Sequence, residues 1–231
     1  MKPYGISAIH EFHEKNDAVF IEVGGWLMPK KYDGVEDETD AVKNFVGIHD
    51  ISSKAKLIVH GVDIVRILSG EFKLLSGFNC KVKLMESVTY GFQLILAELT
   101  SKEYLVVVEP EFKNVITEIC MKDNYCVDIS SGLTGIRLIG PKASEIISTV
   151  SSFDIRNKMF PDLSVAQISL MHLHAYLLRM DVANSLCYDI FVARDVGLFV
   201  WNQIIILGEP FGISAIGTQV MDEIASDGVI F

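Results

Sequence analysis

An internal repeat of the tetrapeptide Asp-Ile-Ser-Ser constrains the fold of this chain more than any other feature. The first copy lies within 44–61 and the second within 127–140. In both copies the tetrapeptide precedes a short polar step and an alternating apolar run that ends in glycine. The separation of the aspartates, Asp50 and Asp128, is longer than the roughly 20–50 residues of a solenoid repeat. The spacing therefore predicts two halves of one domain produced by duplication.

The segments that follow each copy predict an α+β fold. Period-two alternation and runs rich in β-branched residues indicate strands, and apolar residues three and four apart indicate helices. Each half then has the order strand, helix, hairpin strands, helix, which is the ferredoxin-like order. We expect one domain over 1–231 with duplicated ferredoxin-like halves at about 45–122 and 125–207. Predicted strands include 56–60, 87–98, 103–108, 135–139, 165–172, 174–180 and 186–193.

Charge and hydropathy exclude several classes of function. The chain has 231 residues, of which 50% are hydrophobic, and a formal net charge of −10. Nucleic-acid binding requires clustered lysine and arginine, which this sequence lacks, so nucleic acid is not an expected partner. No apolar run approaches the roughly 20 residues that span a bilayer, and the residues after Lys2 do not form a secretory signal. We expect a cytoplasmic protein with no membrane partner.

Cysteine and histidine positions do not indicate a metal or a disulfide. The four cysteines form no CxxC pair and lie in apolar segments, so we expect them to be reduced and structural. His10 and His13 are one helical turn apart, and His172 and His174 would share one face of a strand. Each pair permits a metal ligand, but surface and edge positions are the commoner reason for the spacing of His10 and His13, and a solvated or hydrogen-bonded pair is the commoner reason for His172 and His174. We therefore expect no metal.

Two longer stretches resemble a known family. The run GGWLMPKKYDG at 24–34, followed by AVKNFVGIHDISSKAKLIVHG at 41–61, resembles the folate-binding domain of the glycine cleavage T-protein, or aminomethyltransferase, family. That domain recurs in dimethylglycine and sarcosine dehydrogenases and in sarcosine oxidase. The later runs at 127–147 and 159–181 are more similar to the small γ-subunit of sarcosine oxidase. The resemblance extends from Ile6 to about Gly217.

The resemblance implies a ligand and a set of site residues. Tetrahydrofolate is expected in a central cavity between the halves, where it accepts a one-carbon unit. A pterin ring requires a carboxylate that accepts from its 2-amino group and ring N–H, an interaction worth roughly 1.5–3 kcal/mol. Asp189 matches that acid in the family and Tyr188 is adjacent to it. Tyr90 matches the tyrosine beside the ring, and Gln93 stands where the family has acids.

Departures from the family pattern leave three readings open. The Asn- and Gly-rich loop that carries the catalytic aspartate is absent, because Tyr90-Gly91 runs directly into Phe92-Gln93. The C-terminal barrel of the T-proteins is also expected to be absent. The first reading is a folate- or pterin-binding protein of one-carbon metabolism with weak or absent transferase activity. The second is a non-catalytic accessory subunit that docks on a flavoprotein of the sarcosine oxidase or dehydrogenase type.

The third reading is a full aminomethyltransferase that uses another acid, such as Glu98 or Asp189. The sequence also leaves open whether the protein is a homo-oligomer, and whether Phe78, Met85 or Phe92 fills the cavity. The apolar tail at 228–231 is expected to pack on its own domain or on a second chain.

Overall fold

Three β-sheets with flanking helices make up the described part of the chain. The structure, a computed structural model, describes residues 5–32, 35–61, 64–121, 125–183 and 185–227, so the tail at 228–231 lies outside it. The strands are β1 Gly5–Ile6, β2 Val19–Val23, β3 Trp26–Lys31, β4 Val46–Asp50, β5 Ala55–His60, β6 Phe72–Ser76, β7 Val82–Ser87, β8 Gln93–Thr100, β9 Glu103–Val108, β10 Tyr125–Asp128, β11 Leu133–Ile139, β12 Ser164–Leu170, β13 Leu173–Arg179, β14 Cys187–Ala193 and β15 Ile213–Ile216. The helices are α1 His10–Lys15, α2 Val35–Asn44, α3 Ile64–Leu68, α4 Lys113–Cys120, α5 Ala143–Val150, α6 Gly197–Gly208 and α7 Thr218–Asp227.

The two large sheets each combine strands from both copies of the repeat. Sheet I has the order β10-β5-β9-β8-β7-β6, sheet II has the order β12-β13-β14-β11-β4-β15, and the small sheet has the order β1-β3-β2. The strand before the first tetrapeptide, β4, pairs antiparallel with β11 from the second copy. The strand before the second tetrapeptide, β10, pairs antiparallel with β5 from the first copy. The predicted α+β class is confirmed, and the pairing between copies adds a connection that periodicity does not reveal.

Sheets I and II pack face to face, with helices on their outer faces. Apolar residues of both sheets, among them Ile58, Ile95 and Phe191, form one buried cluster between the sheets. A second cluster joins the outer face of sheet I to α3 and α4. A third joins the outer face of sheet II to α5 and α6, and includes Tyr188 and Trp201. Because strand residues alternate between faces, each strand supplies both an inner and an outer core.

The repeated tetrapeptide forms the same hydrogen-bonded turn twice. The carboxylates of Asp50 and Asp128 each accept a hydrogen bond from the backbone N–H two residues later, at 2.9 Å. The serine two residues after each aspartate then bonds to the other copy. Gly135 N–H donates to Ser52 Oγ at 3.1 Å, and Lys56 N–H donates to Ser130 Oγ at 3.0 Å. An aspartate in such a turn closes the chain locally, which explains why the motif recurs.

Two sequence expectations are wrong in detail. The predicted strand 87–98 is interrupted by a turn, because Ser87 is the last residue of β7 and β8 begins only at Gln93. The intervening turn has Gly91 at φ +70°, a conformation that glycine adopts without a steric penalty. His172 also does not share a strand with His174. It lies in the two-residue turn between β12 and β13 at φ +66°.

Candidate functional site

A cavity of about 330 Å³ lies where the three sheets approach one another. The small sheet contributes β2, sheet II contributes β4 and β11, and the ends of β5 and β9 bring residues from sheet I. Helix α7 forms another wall. This volume lies at the lower end of the roughly 300–1,000 Å³ of small-molecule sites. The lining residues are Ile21, Val23, His49, Asp50, Ile51, Ser53, Lys54, Glu109, Arg137, Thr218, Met221 and Asp222.

A row of polar side chains crosses the inner face of sheet II beside this cavity. Asp189 on β14 is in register with Arg137 on β11, which is in register with His49 on β4. Strand residues in register on one face lie side by side, so the three side chains form a continuous polar stripe. The stripe interrupts a face that is otherwise apolar, as the neighbouring Phe191 and Ile51 show.

Arg137 and Asp189 form a buried ion pair. Arg137 Nε donates to Asp189 Oδ1 at 2.6 Å, and its Nη2 donates to Oδ2 at 2.7 Å. The side chains are 3% and 4% exposed. Burial disfavours the charged guanidinium, but the Asp189 carboxylate more than offsets it and raises the pKa of Arg137 above its usual range. The acid that the resemblance assigns to a pterin therefore already accepts two charge-assisted hydrogen bonds from a neighbouring strand.

His49 lies in the cavity wall, and its ring is hydrogen-bonded to the backbone of a neighbouring strand. Its Nδ1 lies 3.0 Å from the carbonyl oxygen of Ile216 on β15. A carbonyl only accepts, so Nδ1 carries the proton and Nε2 carries a lone pair. Burial, with the nearby charge of Arg137, lowers the pKa of His49 to about 4 although the Ile216 carbonyl opposes the shift. The imidazole is therefore neutral at physiological pH.

A second ion pair also lines the cavity. Lys54 precedes β5 and donates to Glu109, which follows β9. The Glu109 carboxylate also acts electrostatically on Arg137. Asp222 on α7 is exposed, and partial burial together with Glu109 raises the pKa of this carboxyl. The positive charges of Arg137 and Lys54 are thus each compensated by a carboxylate.

Asp50 of the repeat points to the other side of sheet II. His13 Nε2 lies 2.9 Å from Asp50 Oδ2, and the hydroxyl of Tyr32 lies 2.6 Å from His13 Nδ1. Burial alone raises the pKa of Asp50, but the hydrogen bonds from His13 and Ser52 outweigh it and hold the pKa below its usual value. These hydrogen bonds join α1 and the residue after β3 to β4, and they place His13 in the interior at 0% exposure, so the surface position expected for it is wrong.

The four predicted binding residues lie in three different places. Tyr90 is 63% exposed in the turn between β7 and β8, where its ring stacks on Phe92. Gln93 opens β8 opposite Glu86. Tyr188 is buried in the outer core of sheet II, whereas Asp189 faces inward. None of the four is among the residues that line the cavity, but Asp189 is hydrogen-bonded to Arg137, which is.

Phe78, Met85 and Phe92 are not among the residues that line this cavity. Phe92 and Met85 pack in the outer core of sheet I, where Phe92 stacks on Phe112 at 4.0 Å. Phe78 is exposed. In the ranges that the structure describes, no three His, Cys, Asp or Glu side chains lie close enough together to hold a metal ion. All four cysteines are free thiols.

Sequence reasoning missed His49, Lys54, Glu109 and Arg137 as cavity residues. One signal was available for His49, since the residue before the aspartate is histidine in the first copy and valine in the second. The other three carry no comparable signal. Their role depends on register between strands that are distant in sequence.

The described fold defines a class: an α+β domain built from a duplicated unit, with a polar cavity at the junction of its sheets. The GCVT N-terminal domain family matches residues 9–227. The chain belongs to this family. In the described residues no helix has the length and apolar character required to cross a membrane.

Curated relatives cover nearly all of this chain but only part of their own length. The alpha subunit of sarcosine oxidase from Corynebacterium sp. strain U-96 is 25% identical over an alignment 258 residues long, which covers 96% of this chain and 26% of the relative. An aminomethyltransferase from Caldanaerobacter subterraneus subsp. tengcongensis is 21% identical over an alignment 225 residues long, which covers 93% of this chain and 60% of the relative. The chain is thus similar to one portion of longer proteins.

Solved structures share the fold. The crystal structure of glycine cleavage system aminomethyltransferase T from Bartonella henselae aligns with a TM-score of 0.77 at 17% identity, over 95% of this chain and 61% of that one. Heterotetrameric sarcosine oxidase from Corynebacterium sp. U-96, in complex with pyrrole 2-carboxylate, aligns with a TM-score of 0.62 at 14% identity. That alignment covers 90% of this chain and 96% of the other, so the two chains are of similar length.

Proposed function

We propose that this protein is an aminomethyltransferase-related, tetrahydrofolate-binding protein of cytoplasmic one-carbon metabolism, with weak or absent transferase activity. Membership of the GCVT family supports a folate-type ligand. The observation that carries the proposal is the polar cavity at the junction of the sheets, lined by His49, Lys54, Glu109 and Arg137. Its size suits the pterin ring of a folate, with the remainder of the molecule extending outward.

The proposed loss of catalysis rests on the carboxylates near the cavity. Transfer to folate would require an acid or base placed against the reacting nitrogens. Glu109 is paired with Lys54, Asp189 with Arg137, and the Asp50 carboxylate is bound on the far side of its strand. These three carboxylates already accept hydrogen bonds from protein groups, so they are poorly placed to act on the nitrogens of a substrate. Asp222 on α7 also lines the cavity, and this argument does not extend to its carboxylate. Glu98, the other acid considered, does not line the cavity.

The binding claim is tested by isothermal titration with tetrahydrofolate. We expect a dissociation constant in the micromolar range, about −8 kcal/mol. Asp189→Asn should weaken binding because it disturbs the orientation of Arg137 in the cavity wall. Asp181→Asn is the matched control, since Asp181 forms a similar two-contact pair with Arg179 outside the cavity. Absence of binding by the unmodified protein would refute the proposal.

The claim of weak catalysis has its own assay. Folate-dependent release of ammonia from an aminomethylated carrier protein should not exceed the rate without the protein. Robust release would show that the acids described above can still catalyse transfer. In that case the protein would be a working aminomethyltransferase.

A second candidate is an accessory subunit of a heteromeric flavoenzyme. The observation that favours it is the alignment with a chain of similar length in heterotetrameric sarcosine oxidase. Here the domain would serve as a docking module and the flavoprotein would carry out the oxidation. Co-purification from its own cells should then recover a flavin-containing partner in fixed stoichiometry. A monomer that recovers no flavoprotein would count against this candidate.

A further inference from the structure

The outward face of helix α6 is apolar and uncharged. This helix, Gly197–Gly208, has the sequence GLFVWNQIIILG and contains no acidic or basic residue, in a chain of which 22% of the residues are charged. Phe199 and Ile206 are 52% and 54% exposed, and Leu207 is 39% exposed. A surface helix normally carries charged and polar residues on its solvent face, so this face has the composition of a buried one.

The outward side chains form one stripe along the helix. Residues three, four and seven apart lie on the same side of a helix, opposite the side on which Trp201 packs against sheet II. The members of the stripe are Phe199, Asn202, Gln203 and Ile206. The stripe therefore has an apolar side chain at each end and two amides between them. Aromatic and aliphatic side chains without charge are typical of the centre of a protein–protein interface.

The sequence of α6 is close to symmetrical about its centre. Read from either end, the helix has glycine, leucine, three apolar residues and then an amide. In two antiparallel copies related by a twofold axis at the centre of α6, positions equidistant from that centre face one another. Phe199 of one copy then meets Ile206 of the second copy, and Asn202 meets Gln203. A twofold contact requires a surface that is complementary to itself, and α6 provides one.

We propose that this protein forms a homodimer through the outward face of α6, with the two helices antiparallel and Phe199 of each copy packed on Ile206 of the other. The inference is independent of the proposed folate function. A partner attracted by the net charge of −10 would contact acidic side chains, and the stripe has none. A second copy needs only the same apolar ends and the same central amides, which can hydrogen-bond to each other across the axis.

The size and charge of the surface indicate a weak, salt-dependent dimer. A helix of 12 residues is about 18 Å long and about 10 Å across, so the contact is smaller than the roughly 1,200–2,000 Å² of a standard interface. Asp195 and Glu209 are exposed just beyond the two ends of α6, and each copy has a net charge of −10. Repulsion between the copies is screened by salt, so association should strengthen as ionic strength increases.

The test uses sedimentation velocity over about 1–200 µM protein. Phe199→Lys and Ile206→Glu should each weaken association of the full chain about ten-fold or more. An equimolar mixture of the two variants should form a heterodimer, because the new lysine then faces the new glutamate while the other Phe199–Ile206 contact is retained. Met159→Glu is the control, since Met159 is 61% exposed outside α6 and should leave association unchanged. Thermal melting verifies that each variant retains its fold.

The outcomes distinguish a second copy from other occupants of this face. A protein that stays monomeric throughout the concentration range would overturn the inference, and so would a dimer that neither substitution weakens. A mixture that associates no better than either variant alone would refute the antiparallel register. Association that weakens with added salt would show an ionic contact in place of an apolar one. Recovery of a flavoprotein by the unmodified monomer, lost in both variants, would assign the face to a different protein and overturn the homodimer.

Discussion

Substitution of Asp189 by alanine should destabilise the protein by about 3–5 kcal/mol. Its carboxylate and the Arg137 guanidinium are both almost completely buried and joined by two short hydrogen bonds. Removal of one member of such a pair leaves a buried charge without its counter-charge, and the penalty is of this size. Single domains have a free energy of unfolding of about 5–15 kcal/mol, so the variant would lose a large fraction of its stability.

The double variant Arg137→Met/Asp189→Leu should recover most of that loss. Apolar residues of similar volume restore packing and avoid the desolvation of two charges, and such exchanges are often neutral or stabilising. We expect the double variant to lie within about 1 kcal/mol of the unmodified protein. The coupling energy in the cycle should therefore be several kcal/mol, far above the roughly 0.3–0.5 kcal/mol error of additivity.

Equilibrium unfolding in urea measures all four proteins of the cycle. Asp181→Ala is the matched control, because its pair with Arg179 is about a quarter exposed on the Asp181 side and should cost far less. The reasoning would be refuted by a loss of less than about 1 kcal/mol for Asp189→Ala, since that value is typical of an exposed pair. It would also be refuted if the double variant showed the simple sum of the single losses.

Three further predictions concern buried polar groups. Burial lowers the pKa of Lys56 from 10.5 to about 8, so the free energy of unfolding should rise by about 3 kcal/mol as pH increases through that window. Urea titrations at several pH values measure this rise, and Lys56→Met should abolish it. The pKa of His49 is lowered from 6.5 to about 4, so the free energy of unfolding should decrease by about 3 kcal/mol as pH falls through that window. His49→Gln should remove this dependence of the free energy of unfolding on pH. Ser52→Ala and Ser130→Ala each leave a buried backbone N–H of the other copy without its acceptor. Each substitution should therefore lower the melting temperature by a similar amount, which corresponds to about 1–3 kcal/mol of stability. Unequal effects would contradict the equivalence of the two turns.

The repeat and the hydropathy periods were sufficient to predict the fold class. They did not predict contacts between residues far apart in sequence. Two aspartate-serine motifs predicted related halves, but not that β4 pairs with β11 and β10 with β5. The resemblance directed attention to Asp189, whereas its partner Arg137 lies on another strand and carries no sequence signal. Tyr90 lies within a turn that the positive φ of Gly91 permits, and a period-two pattern does not detect that turn.

The exchange of strands between copies indicates how such a chain arose and how it must fold. In a polypeptide with only one copy, the strand before the tetrapeptide would have no antiparallel partner. The strand after the tetrapeptide would have an unpaired edge. Two such polypeptides related by a twofold axis would satisfy both needs, as swapped homodimers do. The strand pairing in the present chain is the one that a covalent fusion of such a dimer would have. Neither half is therefore expected to be stable when expressed alone, whereas the two halves mixed as separate peptides are expected to assemble.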